Sequence, residues 1–163
     1  MSTIVNLHKT PATALAQYER LQAALPLAVA EARSSVNGHV MFDFGVCHGA
    51  DTVTGNNQYD WHLLVYMCEW DLYKGDSRIL WRRESDNSLA DAVLGQLVGE
   101  RMTAFDRDDS DDCFILHFTG GYRLNMDPDF YGYDAANDMF MLFEYGQDDC
   151  LSFSPKKRFY PAA

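Results

Sequence analysis

The sequence has few basic residues and no long apolar run. Its 163 residues include 13 Lys or Arg against 24 Asp or Glu, which gives a formal net charge of -11. A surface with this excess of negative charge repels nucleic-acid phosphates and anionic lipid headgroups. No stretch of about 18 consecutive apolar residues occurs, so no membrane-spanning helix is predicted. We therefore expect a protein that binds neither nucleic acid nor a membrane.

Motifs that bind cofactors or carry out catalysis are also missing. There is no Walker A loop and no GxSxG, GxGxxG or HExxH motif. The four cysteines are far apart and form no CxxC pair. Residues 1–8 lack the basic and apolar regions of a secretory signal, so we expect reduced, mostly buried thiols in a cytoplasmic protein. From these features we assign no catalytic residue, no cofactor and no metal.

Two short patterns come close to known sites. Residues 106–112 have the alternating oxygen ligands that open an EF-hand loop, but Asp111 stands where that loop requires Gly and His117 where it requires Glu. Cys47 and His48 are adjacent in a predicted strand, where neighbouring side chains point to opposite faces. We therefore expect a buried Cys47 and an exposed His48, and no nucleophile with its base.

Three histidines lie on or beside two predicted strands. His39 and His48 flank the first of these strands, and His62 lies in the second. Their spacing leaves open whether the three imidazoles converge on a metal.

Two amphipathic helices are predicted. The first begins at Thr10-Pro11, and Pro26 kinks or ends it before a second helical piece that continues to about Arg33. The other helix is capped by residues 86–88 and ends by Gly99. The apolar positions at helical spacing are Leu15, Tyr18, Leu21 and Leu25 in the first helix and Leu89, Ala92, Val93 and Leu97 in the other.

Strands dominate the rest of the chain. Period-two alternation predicts a strand at 40–47, a long strand is expected at 61–73, and a short one is expected at 102–105. A turn at 74–77 is predicted to pair Trp70 with Trp81, Leu72 with Ile79 and Glu69 with Arg82. A three-residue loop at 119–121, with Gly121 left-handed, is predicted to pair Phe118 with Tyr122, Leu116 with Leu124 and Phe114 with Met126, with His117 beside Arg123. A last hairpin joins 139–145, an interior strand, to 150–154.

The predicted order is one helix, three strands, one helix and five strands. Nearly every strand connection has hairpin length or lacks a crossover helix, which favours antiparallel pairing. We therefore predict a single α+β domain over residues 1–163. Its sheet is mostly antiparallel and curved, with an N-terminal helical segment and one mid-chain helix packed on one face.

The negative charge is concentrated in one part of the chain. Residues 106–149 contain eleven Asp and one Glu against two Arg, a net charge of -10. Runs of charge in loops are often no more than solvated turns. The alternative is an anionic surface that steers a basic protein partner, with aromatic residues of the same loops as anchors. The predicted partner-binding residues are Asp106, Asp108, Asp109, Asp111, Asp112, Asp129, Phe130, Tyr131, Tyr133, Asp134, Asp148 and Asp149.

The aromatic residues of the segment 127–134 have two possible roles. Phe130 and Tyr131 either contact the partner directly or pack back onto the sheet, and the sequence leaves both open.

The C-terminal third carries a family resemblance. The stretch 113–126, CFILHFTGGYRLNM, is followed by 139–146, MFMLFEYG. This pattern resembles the meander of several small bacterial immunity proteins of polymorphic toxin systems, over about a third of the chain. The resemblance implies a cytosolic, acidic α+β protein that binds one cognate toxin and blocks it, often by covering a basic nuclease active site.

These observations give one leading hypothesis and two alternatives. The leading hypothesis is a non-enzymatic inhibitor of the immunity type, which neutralises a basic cognate toxin by electrostatically steered binding. The first alternative is a small-ligand-binding or enzymatic domain with its site on an aromatic sheet face made of Trp61, His62, Tyr66, Trp70 and Trp81. The second is a homo-oligomeric structural module, in the simplest case a homodimer, that uses this face as its interface.

Overall fold

One antiparallel sheet organises the chain, as the computed structural model shows for residues 15–35, 37–84, 86–108, 112–128 and 135–162. Within these residues the strands are β1 (Leu27–Ser34), β2 (Val40–Ala50), β3 (Asn57–Val65), β4 (Glu69–Lys74), β5 (Ser77–Trp81), β6 (Arg101–Asp108), β7 (Cys113–Phe118), β8 (Tyr122–Asp127), β9 (Phe140–Glu144), β10 (Cys150–Ser154) and β11 (Arg158–Ala162). The helices are α1, seen over residues 15–24, and α2 (Asn87–Gly95). The predicted α+β class is confirmed.

The sheet is open, and its strand order is β11-β10-β9-β3-β2-β1-β6-β7-β8-β4-β5. β1 lies in the middle of this order. It pairs with β2 through most of its length but with β6 only through Leu27 and Ala28. Directly after Ala28, the pairing with β2 shifts register between Val29 and Glu31. Bulges of this kind bend a strand. β1 therefore divides the sheet into two halves.

The two halves face each other across an aromatic core. Phe114 of β7 lies 4.9 Å from Phe140 of β9 and 4.8 Å from Phe153 of β10, measured between ring centroids. These strands are far apart in the sheet order, so the contacts show that the sheet curves back over itself. The guanidinium of Arg107 lies 5.0 Å and 5.1 Å from the ring centroids of Phe153 and Phe159. Burial of these rings is the main stabilising contribution to a fold of this kind.

Both helices pack on this buried side of the sheet. Leu21 of α1 and Ala90 and Leu94 of α2 belong to the same core as the phenylalanines. The side chain of Asp86 caps α2 by accepting hydrogen bonds from the backbone N–H groups of Ser88 and Leu89, as predicted. No helix within the described residues has the length and apolar character needed to cross a membrane.

The predicted hairpin around Gly120-Gly121 is confirmed. Phe114 pairs with Met126, Leu116 with Leu124 and His117 with Arg123. Both glycines have positive φ, so the left-handed conformation is shared and does not belong to Gly121 alone. The interior position predicted for residues 139–145 is also confirmed, since β9 lies between β3 and β10.

The second helical piece predicted after Pro26 is wrong. Residues 27–34 form β1, because the backbone N–H of Val29 donates to Glu100 and the rest of the strand pairs with β2. The pairing of two neighbouring strands therefore overrides the helix propensity of an alanine-rich segment.

The long strand predicted at 61–73 is two strands. The backbone N–H groups of Tyr66 and Met67 donate to Met139 and Asp138, which ends β3 at Val65. β4 then lies in the other half of the sheet, between β8 and β5.

Smaller differences concern register and helix orientation. A register shift beside Leu72 pairs Asp71 with Trp81 and Leu72 with Leu80, although the ion pair between Glu69 and Arg82 does form, at 3.2 Å. α2 buries Ala90 and Leu94 and exposes Leu89, so its apolar stripe is rotated from the predicted one. β11 was not predicted, and it contains Pro161, which is tolerated at the edge of a sheet.

Replacing Phe114 with Ala tests the aromatic core. We expect the free energy of unfolding to fall by roughly 3–5 kcal/mol, because the variant leaves a cavity between the two halves of the sheet. Urea denaturation monitored by circular dichroism measures the change. Ile115→Ala, on the half-buried neighbour, is the matched control and is expected to cost less. If both variants lost the same free energy of unfolding, the conclusion that the two halves of the sheet face each other across Phe114 would be contradicted.

Candidate protein-binding groove

A groove of about 670 Å³ lies on the half of the sheet that contains β2, β3 and β9. The strand register places Glu31, Asp43, His62 and Phe143 in one row that crosses β1, β2, β3 and β9, and the last three line the groove floor. Trp61 and Leu63 flank His62 in sequence and are buried in the core. Because side chains alternate along a strand, this row lies on the outer face of the sheet.

The buried carboxylate of Asp43 organises the groove floor. Its side chain is only 5% exposed, and its Oδ1 atom lies 2.7 Å from Nδ1 of His62. Its Oδ2 atom accepts a hydrogen bond of 3.2 Å from Nη1 of Arg33, which also donates to Glu31. A buried charge with two such partners is compensated. Because an ionised carboxylate only accepts hydrogen bonds, Nδ1 of His62 is the donor to Asp43, and Nε2 is an acceptor in the neutral form of this imidazole.

A bulge in β2 lies behind Tyr145, one of the residues that line the groove. Gly45 has a φ of +88°, and a Cβ atom there would overlap the carboxylate of Asp60. That carboxylate accepts a hydrogen bond of 2.8 Å from the backbone N–H of Val46 and lies 2.6 Å from Nε2 of His48. The Val46 N–H first, and His48 after it, hold the pKa of Asp60 below its usual range.

His48 in turn fixes an exposed aromatic ring. It stacks on Tyr145 with ring centroids 3.9 Å apart and an interplanar angle of 4°. The backbone N–H of Tyr145 donates to the carbonyl of Asp60, which ties the ring's backbone to β3. Tyr145 and Phe143 are 48% and 40% exposed, so two oriented aromatic side chains face solvent at this groove.

Acidic residues complete the groove. Glu144 is paired with Arg20 of α1 by hydrogen bonds of 2.8 Å and 3.0 Å, and the carboxylate raises the pKa of that guanidinium. Asp148 and Asp149 lie in the turn between β9 and β10, and both are exposed. Of the residues that line the groove, Asp43, Glu144 and Asp148 are acidic and Arg33 is basic. Asp148 therefore gives the groove rim an exposed negative charge.

The predicted acidic residues that the structure describes lie at separate places in the sheet. Asp106 and Asp108 are exposed on β6, and Asp112 is paired with Arg158 at 2.5 Å. Because Arg158 pairs with Ser154, Asp112 and the turn with Asp148 lie at opposite ends of β10. Seven predicted partner-binding residues lie outside the described part of the chain: Asp109, Asp111, Asp129, Phe130, Tyr131, Tyr133 and Asp134.

The aromatic face proposed as an alternative site does not exist as one surface. Trp61 and Trp70 are 5% and 2% exposed and belong to the core, whereas His62 lies on the outer face. Trp81 is exposed on the edge strand β5. Trp61 and Trp70 fill the core instead of lining a site, because alternate residues of each strand point inward.

The three histidines have separate partners: His39 packs against Tyr66, His48 binds Asp60, and His62 binds Asp43. Within the described residues no three His, Cys, Asp or Glu side chains come together in a way that fits a metal ion.

Cys47 is exposed, which contradicts the buried position expected for it. The irregular register of β2 around it breaks the simple alternation. All four cysteines lie in the described residues, and none forms a disulfide.

The pairing of Asp43 with His62 was missed at the level of sequence. Its signal is an acidic residue between two phenylalanines in a strand, followed by a histidine in the next strand. A carboxylate in such a position requires a partner when the strand is covered by its neighbours.

No protein-family model, no curated protein and no solved structure matches this chain. Its function has to be inferred from the groove itself. The groove combines exposed aromatic rings, an oriented imidazole and an excess of carboxylates.

Asp60→Asn tests the contacts that hold the bulge of β2, through the pH dependence of stability. The folded pKa of Asp60 lies below its ordinary value of 3.8. The ionised carboxylate of Asp60 therefore stabilises the folded protein at neutral pH. This stabilisation is lost as the pH falls through the pKa of Asp60 in the folded state. We expect the variant to unfold at lower urea concentration than the wild type at pH 7, with the difference shrinking below about pH 4.

Asp149→Asn removes one exposed charge close by and is the matched control. If the difference in the urea concentration of unfolding between Asp60→Asn and the wild type stayed constant down to pH 2, the ionised carboxylate would not be what stabilises the fold.

Proposed function

We propose that this protein is a non-enzymatic, acidic inhibitor that binds a basic partner protein, in the manner of bacterial immunity proteins. The observation that carries the proposal is the groove, in which exposed Phe143 and Tyr145 adjoin the acidic turn of Asp148 and Asp149. The four cysteines without disulfides fit a reducing, cytosolic location for this activity.

The chemistry of the groove supplies the two components of a steered complex. Aromatic side chains at the centre of an interface provide most of the binding free energy, because they bury a large area with little loss of conformational freedom. The net charge of -11 attracts a basic partner over a distance and accelerates association. A toxin that acts on nucleic acid carries the positive surface which this arrangement complements.

One observation favours a second candidate function. The pair of His62 with the buried Asp43 resembles the base and its orienting carboxylate in many enzymes, and its imidazole lines a groove. A small-ligand-binding or enzymatic domain would use Nε2 of His62 directly. Saturable stabilisation by a small molecule that carries no guanidinium group, abolished in His62→Gln, would support this candidate over an inhibitor.

The inhibitor proposal is tested by capture followed by an activity assay. The purified full-length chain is used as bait in a lysate of its native host, and bound proteins are eluted by a salt step. We expect one basic protein whose toxic or nuclease activity the purified chain abolishes at a 1:1 ratio. Captured proteins whose activities are unaffected by the chain would contradict the proposal.

Variants of the groove then test where the partner docks. Asp148→Asn with Asp149→Asn is expected to slow association with the captured protein by roughly tenfold at low salt and to weaken its salt dependence. Tyr145→Ala is expected to accelerate dissociation instead, because it removes an anchor. Surface plasmon resonance at several salt concentrations separates the two rates.

Asp106→Asn with Asp108→Asn removes the same charge from the other half of the sheet and is the matched control. If this control variant slowed association more than the variant with Asp148→Asn and Asp149→Asn, the partner would dock on β6 and not at the groove. Unchanged dissociation in Tyr145→Ala would remove that ring from the interface.

A further inference from the structure

We propose that the groove binds an arginine side chain of the basic partner. This inference rests on the proposed function and specifies the residue type that the partner inserts. The guanidinium would donate hydrogen bonds to Nε2 of His62 and to the carboxylate of Asp148, and its plane would stack on the exposed aromatic rings.

The first argument is the fixed acceptor on the groove floor. Asp43 is buried and holds Nδ1 of His62 at 2.7 Å, and its other oxygen is held by Arg33. The orientation of the imidazole is therefore set before any ligand binds. A neutral imidazole held in this way presents an acceptor at Nε2, which suits a ligand that is rich in N–H donors.

The second argument is charge complementarity. Glu144 is already paired with Arg20, and Asp43 is already paired with Arg33 and His62. The described contacts give Asp148 no such cation, although it lines the same groove and is exposed. A cation that enters the groove therefore meets a carboxylate whose charge is not compensated by these pairs.

The third argument distinguishes arginine from lysine. The groove provides exposed faces of Phe143 and Tyr145 beside its polar groups. A guanidinium is planar, stacks on aromatic rings and has five N–H donors, whereas an ammonium is a compact and strongly hydrated charge. The chain itself uses arginine in this way in the groove, where Arg33 holds the carboxylate of Asp43.

The test uses small probes and needs no partner. The full-length chain, labelled with ¹⁵N, is titrated with Nα-acetyl-arginine amide, with the lysine analogue and with the uncharged citrulline analogue. We expect saturable shifts at His62, Tyr145 and Asp148 with the arginine probe, weaker shifts with lysine and the weakest with citrulline. Equal responses to arginine and citrulline, or shifts confined to Asp106 and Asp108, would overturn the proposal. A stronger response to lysine would assign the groove to an ammonium and would overturn it as well.

Variants sharpen the test without disturbing the fold. Asp148→Asn changes an exposed turn residue and is expected to weaken binding of the arginine probe by at least about tenfold. Asp149→Asn, its neighbour, is the matched control and is expected to have a small effect. His62→Gln keeps a polar side chain next to Asp43 and is expected to weaken binding too. If Asp148→Asn and Asp149→Asn weakened binding of the probe equally, the probe would be held by general attraction between charges. The proposed arginine site would then be wrong.

The outcomes separate this inference from the function on which it rests. If the chain inhibits a captured partner but Asp148→Asn and the arginine probe leave the complex unchanged, the proposed inhibitor function is supported and the proposed arginine site is wrong. If the probe binds in the groove but no captured protein is inhibited, the site stands and the inhibitor is wrong. A molecular mass in solution that doubles as the protein concentration rises, and falls when the arginine probe is added, would show that a second copy of this chain occupies the groove. That result would overturn the proposal that a different protein does so.

Discussion

β1 hydrogen-bonds along most of its length to β2 but holds β6 through only Leu27 and Ala28. This uneven pairing joins two halves of one sheet while leaving them free to curve toward each other. The phenylalanines on the inner faces then meet, with Phe114 against both Phe140 and Phe153. Removal of that aromatic surface from water is the contribution that every other element depends on, because both helices pack against the same core.

The groove on the outer face is a consequence of the same constraint. Because Trp61 and Leu63 are directed into the core, His62 between them must lie outside, beside Asp43 of the neighbouring strand. The bulge at Gly45 then brings Asp60 against β2, and the contact of His48 with Tyr145 orients the ring at the rim. Asp43 and His62 on the groove floor therefore sit on paired strands, which hold a binding site more rigidly than loops do, whereas Asp148 lies in a turn.

Local patterns in the sequence predicted the fold class well and the groove poorly. The hairpin around Gly120 followed from glycine chemistry and matched apolar pairs, and the cap of α2 followed from Asp86. The division of residues 61–73 into β3 and β4 was not predictable, because no Gly or Pro stands between the two strands and only long-range hydrogen bonds mark the break. The bulges at Gly45 in β2 and beside Leu72 in β4 shift the register of their strands, and no Gly-Pro or polar turn in the sequence marks the second of them.

The open ends of the sheet have a consequence for how the protein behaves when it is crowded. An exposed edge strand is a template on which another chain can add, and long, flat apolar edges promote aggregation. Here one edge, β11, contains Pro161, which has no N–H to offer an incoming strand, and the other, β5, is five residues long and carries Arg78. Growth of the sheet by addition of further strands is thus opposed at both ends. Any association of this protein at high concentration would therefore have to use another surface, such as the outer face, and not the edges of the sheet.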